Sequence, residues 1–280
     1  MSMLRCPVCG GGLTREQKRY VCGKHHSFDL AREGYVHLLT ANQKHSKSPG
    51  DDKGMAAARN RFLSGEYYAP LRRALEELAD GYTENHPAVL DSGCGEGYYT
   101  AGICRRLTES GKQPRMAGID ISKFSLRWAA KRTDAVEFAV ASAYRLPVAD
   151  RSVDLLVNCF SPLGLEEFRR VLKPGGVFLY VVPAPKHLWE LKEVLYERPY
   201  ENKEEEILYP GFAYEEIRRV RDSAHLPDGQ TIQDLFQMTP YYWRTPRAGR
   251  ERLAERKELD VSIAFDIHVF RKIPSQKGNE

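Results

Sequence analysis

Three thiols and two imidazoles crowd one short stretch near the start of the chain: Cys6-Pro7-Val8-Cys9, twelve residues, then Cys22-Gly23-Lys24-His25-His26. Soft sulfur ligands plus a ring nitrogen, with a two-residue turn inside the first pair, suit a tetrahedral zinc ion. Gly10, Gly11, Gly12 and Gly23 lie beside the ligands, where the backbone must bend around the metal. Cys6, Cys9, Cys22 and one of the adjacent His25 and His26 fill all four positions with protein. That predicts a structural ion, one per chain, which supplies much of the folding energy of so small a head.

A second constellation follows the apolar run Ala88-Val89-Leu90: Asp91-Ser92-Gly93-Cys94-Gly95-Glu96-Gly97. Glycines between a strand and a helix let the backbone turn sharply and approach a ligand at the carboxyl edge of the sheet. The spacing is Gly-x-Gly-x-Gly; a dinucleotide fingerprint would put its third glycine at Tyr98. The shorter form resembles the first motif of class I methyltransferases, whose ligand, S-adenosylmethionine, has no pyrophosphate to cradle. Asp120 ends the next strand, where a carboxylate can accept both ribose hydroxyl hydrogens. Ser142 follows the third strand, where that class contacts adenine. Arg169-Arg170-Val171-Leu172-Lys173-Pro174-Gly175-Gly176 resembles its helix-to-strand connection.

The elements that must position these residues are legible as periodicity. Helical spacing predicts helices near 55–63 and 69–80. Strands are expected at 88–91, 116–120, 136–140, 153–159 and 177–182, with helices over 122–132 and 164–172. Alternation of this kind predicts a doubly wound α/β sheet, mostly parallel, with the seven strands of the methyltransferase class. Period-two alternation over Leu259–Phe270 predicts a long closing antiparallel strand. Residues 200–235 give no readable element. The chain divides into a zinc-binding head over 1–40, a linker or substrate-facing loop over 41–54, and a methyltransferase domain over 55–280.

Composition narrows the classes further. No apolar run among the 280 residues approaches the ~18–20 needed to span a bilayer, and no signal-like stretch opens the chain. A cytoplasmic protein without a membrane partner is expected. The other cysteines, Cys94, Cys104 and Cys159, are too scattered for a disulfide framework. The overall charge of +4 is uneven: ten Lys and Arg against five acids leave residues 1–60 at +5, and the remainder at −1. A basic head on a near-neutral body suits a polyanionic partner, because each phosphate it neutralises releases counterions.

The head pattern, with Ser27-Phe28-Asp29-Leu30-Ala31-Arg32-Glu33-Gly34-Tyr35-Val36-His37-Leu38-Leu39, resembles bacterial large-subunit (23S) rRNA guanine-N1 methyltransferases. The likeness continues through Pro49-Gly50-Asp51, Asp91–Thr100, Ala184-Pro185-Lys186-His187-Leu188-Trp189-Glu190-Leu191-Lys192 and Gln237-Met238-Thr239-Pro240, covering nearly the whole chain. It implies transfer of a methyl group from S-adenosylmethionine to guanine N1 in a ribosomal RNA hairpin. It favours His26 as fourth zinc ligand and cofactor contacts at Tyr68, Gly95, Glu96 and His187. It also implies a homodimer whose zinc heads help form an RNA cleft. Two members of the family modify neighbouring guanines; Asn158-Cys159-Phe160-Ser161-Pro162-Leu163-Gly164 departs from both, so the choice of guanine stays open.

That same stretch follows the fourth strand, where related enzymes hold the target base. Phe160 could stack on guanine and Asn158 bond its edge, and Tyr241, Tyr242 and Trp243 could wall the pocket. His187 could serve as a base, though the resemblance makes it a cofactor contact, and no catalytic base is assigned. The alternative is a methyltransferase acting on a small molecule, which shares the glycine and acid motifs but has no need of a basic zinc head.

Overall fold

The computed structural model describes residues 2–40, 49–203 and 208–274. The head holds β1 (Leu13–Glu16), β2 (Arg19–Cys22) and β3 (Ser27–Asp29), an antiparallel meander, and then β4 (Val36–His37). There follow α1 (Lys53–Ser64), α2 (Ala69–Gly81), β5 (Ala88–Ser92), α3 (Tyr98–Glu109), β6 (Arg115–Asp120), α4 (Lys123–Arg132) and β7 (Val136–Val140). After these come β8 (Val153–Cys159), α5 (Leu165–Val171), β9 (Leu172–Pro183), α6 (Trp189–Leu195) and β10 (Phe212–Leu226). The chain closes through α7 (Gly229–Gln237), α8 (Tyr241–Arg244), α9 (Arg247–Ala254) and β11 (Leu259–Lys272). None of the described helices is long and apolar enough to cross a membrane.

The large sheet has the order β10-β11-β9-β8-β5-β6-β7-β4. It is parallel from β9 to β4, while β11 pairs antiparallel with both β9 and β10. The central β5 is buried at every residue, as a strand covered on both faces must be. The sheet has eight strands where seven were expected, because the head donates β4, which pairs with β7 through Val36↔Ala139 and His37↔Val140.

This pairing has consequences for the core. One sheet face (Val89, Met116, Phe138, Val140) packs under helices α1–α4, α6 and α7. No helix follows β7, so the opposite face around Ala88, Leu90, Ala117, Ile119 and Ala139 is covered by head residues: Met3, Leu4, Leu13, Tyr20, Val36 and Leu38. Polar bonds fix the docking. The Tyr20 hydroxyl and the Met3 N–H donate to the two oxygens of Glu137, each at 2.8 Å, and Arg5 N–H donates to Pro147 O at 2.8 Å. The head drawn at residues 1–40 from sequence thus shares a continuous core with the sheet.

Two other stretches depart from expectation. Residues 200–235 contain a 15-residue strand, β10, which escaped notice because it is the sheet edge. Its Glu215, Arg218, Arg219, Arg221 and Asp222 face solvent or pair with charges on neighbouring elements, and Glu216 accepts from the Tyr82 hydroxyl, a common protection for an edge strand. Of the expected linker, residues 41–48 lie outside the described residues. Its end is docked: Ser122 Oγ donates to Asp51 O at 2.6 Å, and Asp52 caps α1 by accepting from Met55 N–H at 2.9 Å.

Candidate functional site

The β1–β2 hairpin brings Cys22 opposite Leu13 and leaves the Cys6–Cys9 turn facing it. Cys6, Cys9, Cys22 and His26 then place one ligand atom each within 4.8 Å of one another. Cys9 Sγ lies 3.7 Å from Cys22 Sγ, and His26 Nδ1 lies 3.5 and 3.3 Å from the sulfurs of Cys6 and Cys22. A tetrahedron with Zn–S bonds of ~2.3 Å has edges of about 3.7 Å, so the donor set fits a zinc ion. His25 is exposed at φ +61°; it turns the chain so that its neighbour faces the sulfurs. Against the effect of burial, N–H groups of Lys24 and His26 hold the Cys22 thiol down at about 6, favouring the thiolate a metal requires.

At the other site, β5 delivers Asp91 and then a loop with three glycines at positive φ: Gly93 at +88°, Gly95 at +56° and Gly97 at +83°. Each has a reason to lack a side chain. A Cβ on Gly93 would stand 2.1 Å from Ser161 Cβ, and one on Gly97 would stand 2.8 Å from Ala129 Cα of α4. Gly95 is open on its outer side, where the nearest atom, Arg59 Cδ, is 3.9 Å away. Asp120 clamps the loop from β6: Gly95 N–H donates to Oδ2 at 2.9 Å and Ser122 N–H to Oδ1 at 2.7 Å. Each carboxylate oxygen retains a lone pair for a ribose hydroxyl. Ser142 opens the turn after β7, accepting from Tyr144 N–H at 3.2 Å. Glu96 is buried, but its carboxylate is committed to Arg132 of α4 at 2.5 Å, so a ligand meets the backbone at this position.

A buried aromatic group closes the far side. Phe265 of β11 packs against His187 (ring centroids 4.2 Å), Tyr68 (5.1 Å) and Phe160 (5.1 Å). Burial, and secondarily the Lys192 charge, drive the His187 pKa down to about 3. Its Nδ1 accepts from Ala264 N–H at 3.3 Å, which leaves Nε2–H to donate to the Tyr68 hydroxyl at 3.3 Å. A neutral ring with both nitrogens engaged is a positioning group and a poor proton acceptor. Asn158 is fully buried and donates from Nδ2 to Ser92 O, Ser161 Oγ and Pro162 O, holding the loop after β8 in place. Phe160, in contrast, is 42 % exposed at φ +57°, a strained backbone for a bulky residue and one found where structure serves function. Tyr241 stands near Tyr68, Tyr242 packs on Phe236, and Trp243 is exposed.

Comparison with known proteins places this arrangement. Residues 4–47 match the RlmA N-terminal zinc ribbon model and residues 83–235 a methyltransferase domain model. The 23S rRNA (guanine(748)-N(1))-methyltransferase of Streptomyces fradiae is 32 % identical over 97 % of this chain and 97 % of its own. YxjB of Bacillus subtilis (strain 168), whose name assigns it provisionally to 23S rRNA (guanine-N1) methylation, is 35 % identical over 97 % of this chain and 98 % of its own. The chain belongs to the 23S rRNA (guanine-N1)-methyltransferase family.

Malonyl-[acyl-carrier protein] O-methyltransferase of Serratia marcescens is 33 % identical over only 44 % of this chain and 49 % of its own. Among solved structures, a protein from Anaeromyxobacter dehalogenans described provisionally as a type II methyltransferase matches with TM-score 0.53. It has 21 % identity and covers 72 % of this chain and 97 % of its own, a likeness of fold. For this guanine-N1 methyltransferase family member, S-adenosylmethionine is the methyl donor and the head carries one structural zinc. The site fits the donor on independent grounds: Asp91 Oδ1 is buried without a hydrogen-bond partner among the described residues, and at Gly95 the nearest atom is 3.9 Å from where a side chain would begin.

Two predictions arise here. Burial, and secondarily the Asp120 charge, push Asp91 up to about 7 against the Thr100 hydroxyl, which donates to it at 2.6 Å. A cationic ligand favours the carboxylate, so donor binding should expel a proton and weaken as pH falls through 7, by up to about tenfold per pH unit. Calorimetry in buffers of differing ionisation heat detects that proton, and Asp91→Asn should flatten the dependence. Without ligand the sign reverses: a carboxyl raised from 3.8 to about 7 makes the folded chain more stable as pH falls through 7. Separately, Asp120→Ala removes the loop clamp together with a carboxylate placed to accept from a ribose. S-adenosylmethionine binding should weaken by ~1–3 kcal/mol in a titration.

Several residues in this site carry no sequence signal. Arg59, Arg132, Ser161 and Phe265 sit in ordinary helix, loop and strand positions and converge through packing alone. The pattern around Phe160 did point to the loop; Asn158, read there as a candidate for the base edge, is buried, with its Nδ2 committed to the loop and its Oδ1 without a hydrogen-bond partner among the described residues.

Proposed function

We propose that this protein transfers a methyl group from S-adenosylmethionine to N1 of a guanine in a 23S ribosomal RNA hairpin, in the cytoplasm and as a homodimer. The observation that carries this reading is a likeness to the rRNA enzymes running through head and body alike. Likeness to the acyl-carrier enzyme stays within less than half of the chain. The donor supplies an activated methyl on a sulfonium; an N–C bond forms, the C–S bond breaks, and the N1 proton leaves to water.

In this reading Gly95 admits the donor to the backbone, Gly93 and Gly97 let the loop pack against Ser161 and Ala129, and Glu96 contributes its main chain. Asp120 takes the ribose, Ser142 borders the adenine, and Asp91 faces the positive end. Tyr68 and His187, locked to each other, wall the methyl-bearing side. Phe160 offers its exposed ring to the guanine, and holding N1 in line with the methyl carbon supplies much of the acceleration. The head contributes Arg5, which with Arg145 and Arg170 of the body, and with Asp150 and Glu167, lines a cavity of about 580 Å³ between the zinc turn and the 145–150 segment.

The test is transfer of labelled methyl to 23S RNA lacking this modification, with the product mapped by the block that N1 methylation imposes on base pairing. Phe160→Ala should lower kcat/KM for RNA about 10- to 100-fold, the worth of one base–aromatic stack, while donor affinity holds within about threefold. Label appearing in an acyl or other small-molecule acceptor and not in RNA would overturn the assignment.

A further inference from the structure

We infer that Arg59 anchors the α-carboxylate of the methyl donor's amino-acid end, with the Tyr99 hydroxyl as a second donor. The inference rests on the reading of the glycine loop as the S-adenosylmethionine site, and adds a contact that neither the glycine motif nor the family resemblance assigns.

Arg59 projects from α1 across the mouth of the glycine loop, its Cδ 3.9 Å from where a Gly95 side chain would begin. Its Nε donates to Asp51 Oδ2 at 2.9 Å and its Nη2 to Met238 O at 3.3 Å; Nη1 has no hydrogen-bond partner among the described residues. The guanidinium lies close enough to Asp120, Glu96, Tyr68 and Cys159 to act on the charge of each. It is therefore central to the site.

Charge accounting gives this position its meaning. Around the loop stand Asp91 and Asp120, while Glu96 is matched by Arg132 and Asp51 by Arg59 itself. The donor carries two positive groups, sulfonium and ammonium, and one negative group, a carboxylate. Acids suit the first two. A carboxylate entering beside these acids needs a cation, and Arg59 reaches the mouth of the loop with Nη1 unbonded among the described residues, whereas Arg132 is held by the Glu96 carboxylate. Tyr99, in the first turn of α3, has a buried hydroxyl without a hydrogen-bond partner among the described residues, next to Tyr68 and Cys159, the same side chains that sense Arg59. Leaving such a donor unpaired is costly, and a carboxylate oxygen would satisfy it.

The competing account is that Arg59 only neutralises Asp51 and braces residues 49–52 against α1. Two probes separate the accounts: S-adenosylhomocysteine, which has the amino-acid end, and 5′-methylthioadenosine, which lacks it. By calorimetry on the full chain, Arg59→Ala should weaken S-adenosylhomocysteine about 20-fold or more and leave 5′-methylthioadenosine within about threefold, as expected for losing a charge-assisted fork. Asp51→Asn, which frees the guanidinium, should leave S-adenosylhomocysteine binding equal or tighter. If Arg59→Ala does not fold, Arg59→Gln carries the same comparison. Equal loss of both probes, no loss of either, or Asp51→Asn matching Arg59→Ala would overturn the anchor. Wild-type protein binding neither probe would instead overturn the donor-site reading, and the anchor with it.

Discussion

Deleting residues 2–40 should leave no stably folded methyltransferase domain. The sheet face that the head covers includes Leu90, Ile119 and Leu156, each almost completely buried. Exposing a side chain of that size costs about 1.5–3 kcal/mol, so these three alone approach the ~5–15 kcal/mol that holds a typical domain together. The deletion also strips the partner from β7, leaving a bare edge next to that apolar face, a combination that favours aggregation. The expected result is insoluble product or the absence of a cooperative thermal transition. Zinc removal by a chelator should act through the same route in milder form, lowering the midpoint of the whole domain along with that of the head. A truncated chain that melts cooperatively and binds S-adenosylhomocysteine like the full protein would show that the shared core is dispensable.

Gly93→Ala should reduce S-adenosylmethionine affinity by about 100-fold or more, which corresponds to roughly 2.8 kcal/mol. At φ +88° an alanine is strained by about 1–3 kcal/mol before any contact is considered. Its Cβ would then occupy the space of Ser161, 2.1 Å from both Cβ and Oγ. The displaced serine forfeits its bond to Ser92 O at 2.7 Å and the one it accepts from Asn158 at 2.7 Å, worth ~1 kcal/mol each. Because Ser161 adjoins Phe160, RNA methylation should fall further than donor binding alone explains. Titration of the donor, paired with the methyl-transfer rate at saturating donor, separates the two losses. An affinity within threefold of wild type would mean that the loop and Ser161 move apart freely.

The zinc and donor motifs were legible because their chemistry is local. Four ligands within 21 residues leave few geometries around one ion, and three glycines at a strand end mark a turn whatever surrounds them. Asp120 was legible for a related reason: in a parallel sheet, consecutive strand ends fall on one edge, so a carboxylate ending β6 must lie beside the loop ending β5. The strand β10 was not, since an edge strand with one wet face and paired charges lacks the apolar alternation that identifies β11.

The strands β5 to β9 and β11, the glycine loop and three of the four metal-cluster residues thus follow from residue type and spacing, which act over a few bonds or one turn. Tertiary structure decided the rest. Spacing alone left the fourth ligand open between His25 and His26; the left-handed backbone at His25 directs His26 into the cluster. That the head completes the sheet follows from a helix missing after β7 and a bare face that Leu4, Tyr20 and Val36 can cover, a match between surfaces far apart in the chain. Arg59 likewise reaches Gly95 only because α1 lies across the sheet end. Contacts of that kind depend on how elements pack in three dimensions, and no local pattern in the chain encodes them.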